Sequence, residues 1–156
     1  MKKILRWTVI ILLIGLVLIQ FWRPERTNPQ IDQAQTITQN SSISPFVAGL
    51  LRNSCYDCHS DETKWPWYSN IAPSMWLVAK DVNTGRKMMN FSRWGTYTKS
   101  KRVVKLGLIN DEVSGNGMPL SEYLLIHHSA QLSTAERDSI CKWTEQESDR
   151  LTGGDN

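Results

Sequence analysis

Residues 53–68 read NSCYDCHSDETKWPWY, and they set the terms for the rest of the chain. Sixteen residues hold Cys55, Cys58, His59, Trp65 and Trp67, in a chain with three cysteines in all. Two cysteines three positions apart, with a histidine next to the second, admit three chemistries: a redox dithiol, half a zinc site, or covalent attachment of a haem. The segments on either side decide among them.

Zinc needs four ligands and normally a second paired cluster, but the remaining cysteine, Cys141, stands alone. A thioredoxin-like dithiol belongs in a βαβ context, and no run here alternates polar and apolar residues long enough to make a strand. Cys55-Tyr56-Asp57-Cys58-His59 is the Cys-x-x-Cys-His pattern. There two thiols add across the haem vinyl groups and the adjacent histidine becomes the proximal iron ligand. The expected cofactor is one haem c held through Cys55 and Cys58. Cys141, one position beyond Ile140 in a helical pattern, reads as a small buried hydrophobe.

Working outward, Ser44 is a good N-cap and Pro45 suits a first helical position; Phe46, Val47, Leu50 and Leu51 follow at helical spacing into Cys55. Further helices are expected over residues 74–84 with Gly85 as stop, and over residues 98–114 ending at Gly115. A turn or two is expected at 121–126, and a last helix opens on a Ser133/Glu136 capping box. The expected fold is all-α, a cytochrome c-like helical domain around one covalent haem. Connections this long in so small a domain fit a core partly filled by something other than protein.

Residues 4–22, ILRWTVIILLIGLVLIQFW, are almost wholly apolar. As a helix they would span roughly 28 Å, near a bilayer's hydrocarbon thickness. No small-residue cleavage site follows, and Trp7, Phe21 and Trp22 fit interfacial aromatic belts. The expectation is a single uncleaved transmembrane helix over 1–22 in the inner membrane. Its N-terminus would lie in the cytoplasm and the remainder on the periplasmic side, where covalent haem attachment is carried out. Residues 23–43 lack the apolar content for a core and read as a flexible linker; 44–150 form the haem domain and 151–156 a disordered tail.

The formal charge of +3 is concentrated at the start. Residues 1–26 carry +4, which leaves −1 for the remainder and gives nucleic-acid binding no support. Residues 80–105 hold eight basic side chains against Asp81, whereas residues 106–156 are acidic. Opposite solvated faces explain this polarity; the sharper reading is a docking surface for an unidentified redox partner protein.

The far side of the iron needs a second ligand. Met75 sits among apolar residues at helical spacing, and Met88 and Met89 lie in the basic stretch. Met118 stands in GNGMPL, a glycine-rich loop ended by Pro119, free of helical constraint, and is the chosen ligand. His127 and His128 are the alternatives. Trp65 and Trp67 are expected to wall the cofactor, with Arg86, Lys87 and Arg93 as partners for its propionates.

At these residues the chain resembles a bacterial haem-binding domain family, small single-haem modules related to cytochrome c. The resemblance covers about residues 44–147 and rests on CYDCHSDETKWPWYSNIAP, WLVAKDVNTGRKMMNFSRW and GMPLSEYLLIH with a following LSTAE. It implies Cys55 and Cys58 as thioether sites, His59 as proximal ligand and Met118 as distal ligand. Family members often carry MPP and IHP where this chain has Pro119-Leu120 and His127-His128; those departures bear on loop stiffness more than on ligation. The function these readings imply is a membrane-anchored monohaem carrier of single electrons. The alternative is a haem enzyme or sensor whose labile Met118 gives way to peroxide or a gas.

Overall fold

The computed structural model describes residues 1–153, and every regular element among them is helical. The fold is all-α, as the periodicity predicts. Eight α-helices run α1 Lys2–Ile19, α2 Ile37–Asn40, α3 Pro45–Ser54, α4 Tyr56–His59, α5 Ser74–Met88, α6 Lys99–Ser114, α7 Ser121–Leu124 and α8 Thr134–Thr152.

Local chemistry accounts for where these helices start. Ser44 accepts a hydrogen bond from Val47 N at 3.2 Å ahead of Pro45, and Thr98 caps α6 through Lys101 N. Ser133 and Glu136 close a reciprocal capping box on α8. Leu106, Ile109 and Val113 on α6 and Ile140, Trp143 and Leu151 on α8 are buried at helical spacing, so the two helices pair along these stripes. Leu51 of α3 and Ile37 join the same core. A 3₁₀ segment, Phe91–Thr96, adds Phe91 and Trp94, both fully buried; Phe91 stacks on Tyr56 at 5.3 Å between ring centroids.

Helix α5 does not stop at Gly85 but runs on to Met88. Glycine is there for space: a Cβ at Gly85 would lie 2.5 Å from the carbonyl oxygen of Cys58. The missing side chain lets α5 press directly onto the cysteine-bearing turn.

The expected transmembrane helix is a correction. No helix among the described residues is long and apolar enough to cross a membrane. Helix α1 ends at Ile19 and includes Lys2, Lys3 and Arg6 among its 18 residues. Its uncharged part, residues 7–19, is about 20 Å long against roughly 30 Å of hydrocarbon. Gln20 to Trp22, counted in the apolar run, are docked to the domain instead. Gln20 Oε1 accepts from Ala72 N at 2.9 Å, and Trp22 O accepts from Trp76 Nε1 at 2.8 Å.

The segment 23–43, expected to be a flexible linker, is packed down. Arg26 hydrogen-bonds Ser69, Asn28 donates to Thr63 O at 2.9 Å, and Ile37 is fully buried. Arg86 reaches back to Thr27 O and Asn28 Oδ1, each at 2.7 Å. Composition missed this because the segment is held by polar side chains of the domain and one isoleucine, not by a core of its own. In the expected tail, Leu151 is buried and Thr152 ends α8; residues 154–156 lie outside the described residues.

Candidate functional site

Helix α3 hands the chain directly to the cysteine turn. Cys55 is its C-cap, donating to Leu51 O at 2.9 Å, and α4 is the single turn that follows. His59 N and Cys58 N both return to Cys55 O, at 2.9 and 3.2 Å, so the three-residue spacing puts both sulfurs on one face of the turn. Tyr56 points the other way, into the core against Phe91.

His59 is oriented by backbone. Its Nδ1 lies 3.1 Å from Gly85 O and 3.3 Å from Met89 O. Two carbonyls can only accept, so Nδ1 carries the proton and Nε2 keeps its lone pair. Burial holds the imidazole pKa below its ordinary value, against the raising effect of these two carbonyls, and favours the neutral form a metal ligand requires. Burial also pushes the thiols up, Cys55 to about 12 and Cys58 to about 11. A catalytic dithiol needs the opposite shift, so the redox-dithiol reading loses support.

These residues line a largely apolar cavity of about 350 Å³. Cys55, Cys58 and His59 contribute from the turn, Met88 and Met89 from the end of α5, Ile109 and Val113 from α6, and Met118, Pro119, Leu120 and Tyr123 from the loop and helix beyond. Met118 is held from behind. Its N donates to Glu112 O at 3.1 Å, and its carbonyl accepts from Arg137 Nη1 at 2.9 Å. Asn116 adopts φ 59°, a left-handed conformation asparagine tolerates, and so turns the chain into the loop. Ser54, 7% exposed and lining the same cavity, has a hydroxyl with no hydrogen-bond partner among the described residues. Two neutral thiols, an oriented imidazole nitrogen, a thioether and an unclaimed hydroxyl around apolar walls fit a haem. Among the described residues no group of three or more His, Cys, Asp or Glu side chains is placed to hold a bare metal ion.

The structure brings Cys55, Cys58, His59 and Met118 together and sets the expected pocket walls elsewhere. Trp65 and Trp67 are not among the lining residues. Trp65 lies under the Arg26 guanidinium, 6.0 Å from its ring centroid, and Trp67 is 74% exposed, edge-on to Tyr68. Arg86, Lys87 and Arg93 line a separate polar cavity around Asp61. Arg86 spends its donors on Ser60, Thr27, Asn28 and Thr63, and Arg93 pairs with Asp61 at 2.9 Å. Lys80 is the basic residue at the apolar cavity. Met75 is fully buried in the core, and His128 is exposed.

Three contributors escaped the sequence reading: Gly85, taken for a helix stop, and Asp57 and Tyr123, given no role. Tyr123 Oη donates to Asp57 Oδ2 at 2.9 Å, and its ring stacks on His127 at 4.1 Å between centroids. Only the position of Asp57 beside Cys58 hinted at it.

An all-helical chain with this donor set around an apolar cavity defines a haem-binding protein. The chain belongs to the haem-binding domain family, whose model matches residues 14–146. It is also 25% identical over 153 residues to Cytochrome c peroxidase Ccp of Escherichia coli (strain K12). That match takes in 92% of this chain but 32% of the relative, so the chain spans about a third of that protein's length. No solved structure matches.

Proposed function

We propose that the chain is a monohaem c-type cytochrome domain that carries single electrons, with the haem joined covalently through Cys55 and Cys58. When bound, the haem supplies the one-electron iron couple. The protein's own residues supply the rest. His59 offers Nε2, its orientation fixed by the carbonyls of Gly85 and Met89, and Met118 offers a thioether of the kind that raises the potential. The apolar walls exclude water and so favour the less charged iron state. The observation that carries the reading is the convergence of both thiols, His59 with Nδ1 engaged, and Met118 on one apolar cavity. Peroxidase activity belongs to the name of a relative of which this chain spans about a third, whereas the electron-carrier reading rests on this chain's own donor set. The chemistry of attachment carries with it an extracytoplasmic location.

The test is expression of the full chain with haem-maturation enzymes. Haem that stays with the polypeptide through denaturing electrophoresis, and is lost from Cys55→Ser/Cys58→Ser, supports the covalent attachment; its absence from the wild-type chain overturns it. The oxidised spectrum of Met118→Ala should lose the methionine-to-iron band and gain carbon monoxide binding on reduction. Carbon monoxide bound equally well by the wild-type protein would instead favour the enzyme or sensor.

A further inference from the structure

Helix α7, which gives Tyr123 to the cavity wall, and the residues that follow it directly bury little apolar surface of their own. Leu125 is 73% and Ile126 61% exposed, directly between Tyr123 and His127. What fastens this segment to the opposite side of the cavity is polar. Tyr123 Oη donates to Asp57 Oδ2 in the middle of the Cys-x-x-Cys-His turn. The other carboxylate oxygen of Asp57 accepts from Lys64 N at 3.1 Å, which fixes its orientation. The Tyr123 ring lies flat on His127, the planes 6° apart, and His127 Nε2 and Tyr68 Oη share a hydrogen bond of 2.7 Å. Two anchors on the N-terminal half of the chain, Asp57 and Tyr68, thus grip two groups that follow the Met118 loop.

We infer that Tyr123 and His127 are positioning residues: together they latch the Met118 loop to the Cys-x-x-Cys-His turn and so set how readily Met118 yields its place. The contacts of Met118 with Glu112 and Arg137 run only to α6 and α8, on the loop's own side. A movement of the loop that carries Met118 away from the turn therefore pulls against the latch. Burial raises the pKa of both tyrosine hydroxyls, the nearby Asp57 adding to it, which keeps both protonated, Tyr123 as the donor to Asp57. The inference rests on Met118 as the distal ligand for its effect on haem, but the latch itself exists without haem.

Two measurements on the full chain separate these layers. Tyr123→Phe keeps the ring stack and the cavity wall and deletes the bond to Asp57; His127→Phe keeps the stack and deletes the bond to Tyr68. Without haem, each should speed amide hydrogen exchange over residues 117–124 by roughly ten-fold or more, the effect of losing one hydrogen bond to a charged or buried partner. With haem attached, added imidazole should bind the oxidised protein about ten-fold more tightly, with the methionine band fading at correspondingly lower imidazole. Wild-type exchange rates in both variants overturn the latch. Faster exchange with unchanged imidazole affinity overturns its control of Met118, and a Met118→Ala spectrum identical to wild type removes the distal assignment while leaving the exchange result standing. Should Tyr123→Phe fail to fold, Tyr68→Phe releases the outer end of the same latch and is read by the same two measurements.

Discussion

Replacing Gly85 by alanine isolates a contact that orients His59. The new Cβ would stand 2.5 Å from Cys58 O, 3.0 Å from Cys58 C and 3.2 Å from Cys58 Cβ, whereas ordinary contacts begin at 3.4 Å. Backbone cannot swing aside as a flexible side chain does, so α5 and α4 must separate by about 1 Å, an overpacking cost of roughly 1–3 kcal/mol. The same displacement stretches the hydrogen bond from His59 Nδ1 to Gly85 O, worth about 1 kcal/mol. Alanine returns about 1 kcal/mol through its better helix propensity, so the net loss is about 1–3 kcal/mol. In a chain of this size that lowers the melting midpoint by roughly 3–10 °C. Gly107 provides the control. It lies in α6, exposed, and a Cβ there would meet nothing within 4 Å, so Gly107→Ala should gain about 1 kcal/mol from propensity alone. Urea unfolding followed by far-ultraviolet circular dichroism, on both variants without haem, gives opposite signs if the packing account is right. A Gly85→Ala protein as stable as Gly107→Ala would refute it, because the close approach of α5 to the cysteine turn would then be untrue.

Other expectations test separate parts of the structure. In the haem-free protein the thiols of Cys55 and Cys58 should alkylate slowly at neutral pH. Their iodoacetamide rate should climb about ten-fold per pH unit toward pH 11, since only the thiolate reacts and burial holds the pKa values at about 12 and about 11; a rate already maximal near pH 8 would contradict that. Arg86→Met removes four donated hydrogen bonds between α5 and residues 27–63 and should cost about 2–4 kcal/mol in urea unfolding, with new proteolytic cleavage near residues 23–32. Ser133→Ala opens the capping box and should cost about 1 kcal/mol. Hydrogen bonds from Ser133 hold the Glu136 carboxyl below its ordinary pKa, so this cap contributes above the unfolded carboxylate value. It is lost as pH falls through the lower folded value, and the difference between wild type and Ser133→Ala should shrink on acidification.

The basic stretch shows how charge counted along a chain changes meaning once folded. Of the eight cations in residues 80–105, Arg86 and Arg93 are committed near Asp61, and Arg102 donates to the carbonyls of Tyr97 and Gly95. Lys105 bonds Met88 O and lies over the Tyr97 ring. Four of these eight side chains thus also serve the domain's own structure, and Asp61 offsets part of the charge at Arg86 and Arg93.

Features that depend on short-range chemistry were legible in the order of residues alone. Helix starts at Ser44, Thr98 and Ser133 follow from side chains three residues from the amides they cap, and the thiol spacing around His59 is fixed within one helical turn. Met118 was expected off the helices because a glycine-rich loop ending in proline stands out against helical periodicity, and it does line the cavity. Folding in three dimensions settled the rest, for reasons that have no local trace. Whether α1 runs as far as Trp22 depended on Gln20 and Trp22 finding partners at Ala72 and Trp76, some fifty residues away. Whether residues 23–43 lie loose depended on Arg86 and Ile37 finding the domain. The cavity wall is made by aliphatic and methionine side chains of α5 and α6, not by Trp65 and Trp67, because which face of a loop turns inward is set by the elements packed against it. Gly85 and Asp57 acquired their roles in the same way: one lacks a side chain where two backbones meet, and the other is a carboxylate met by a tyrosine sixty-six residues on.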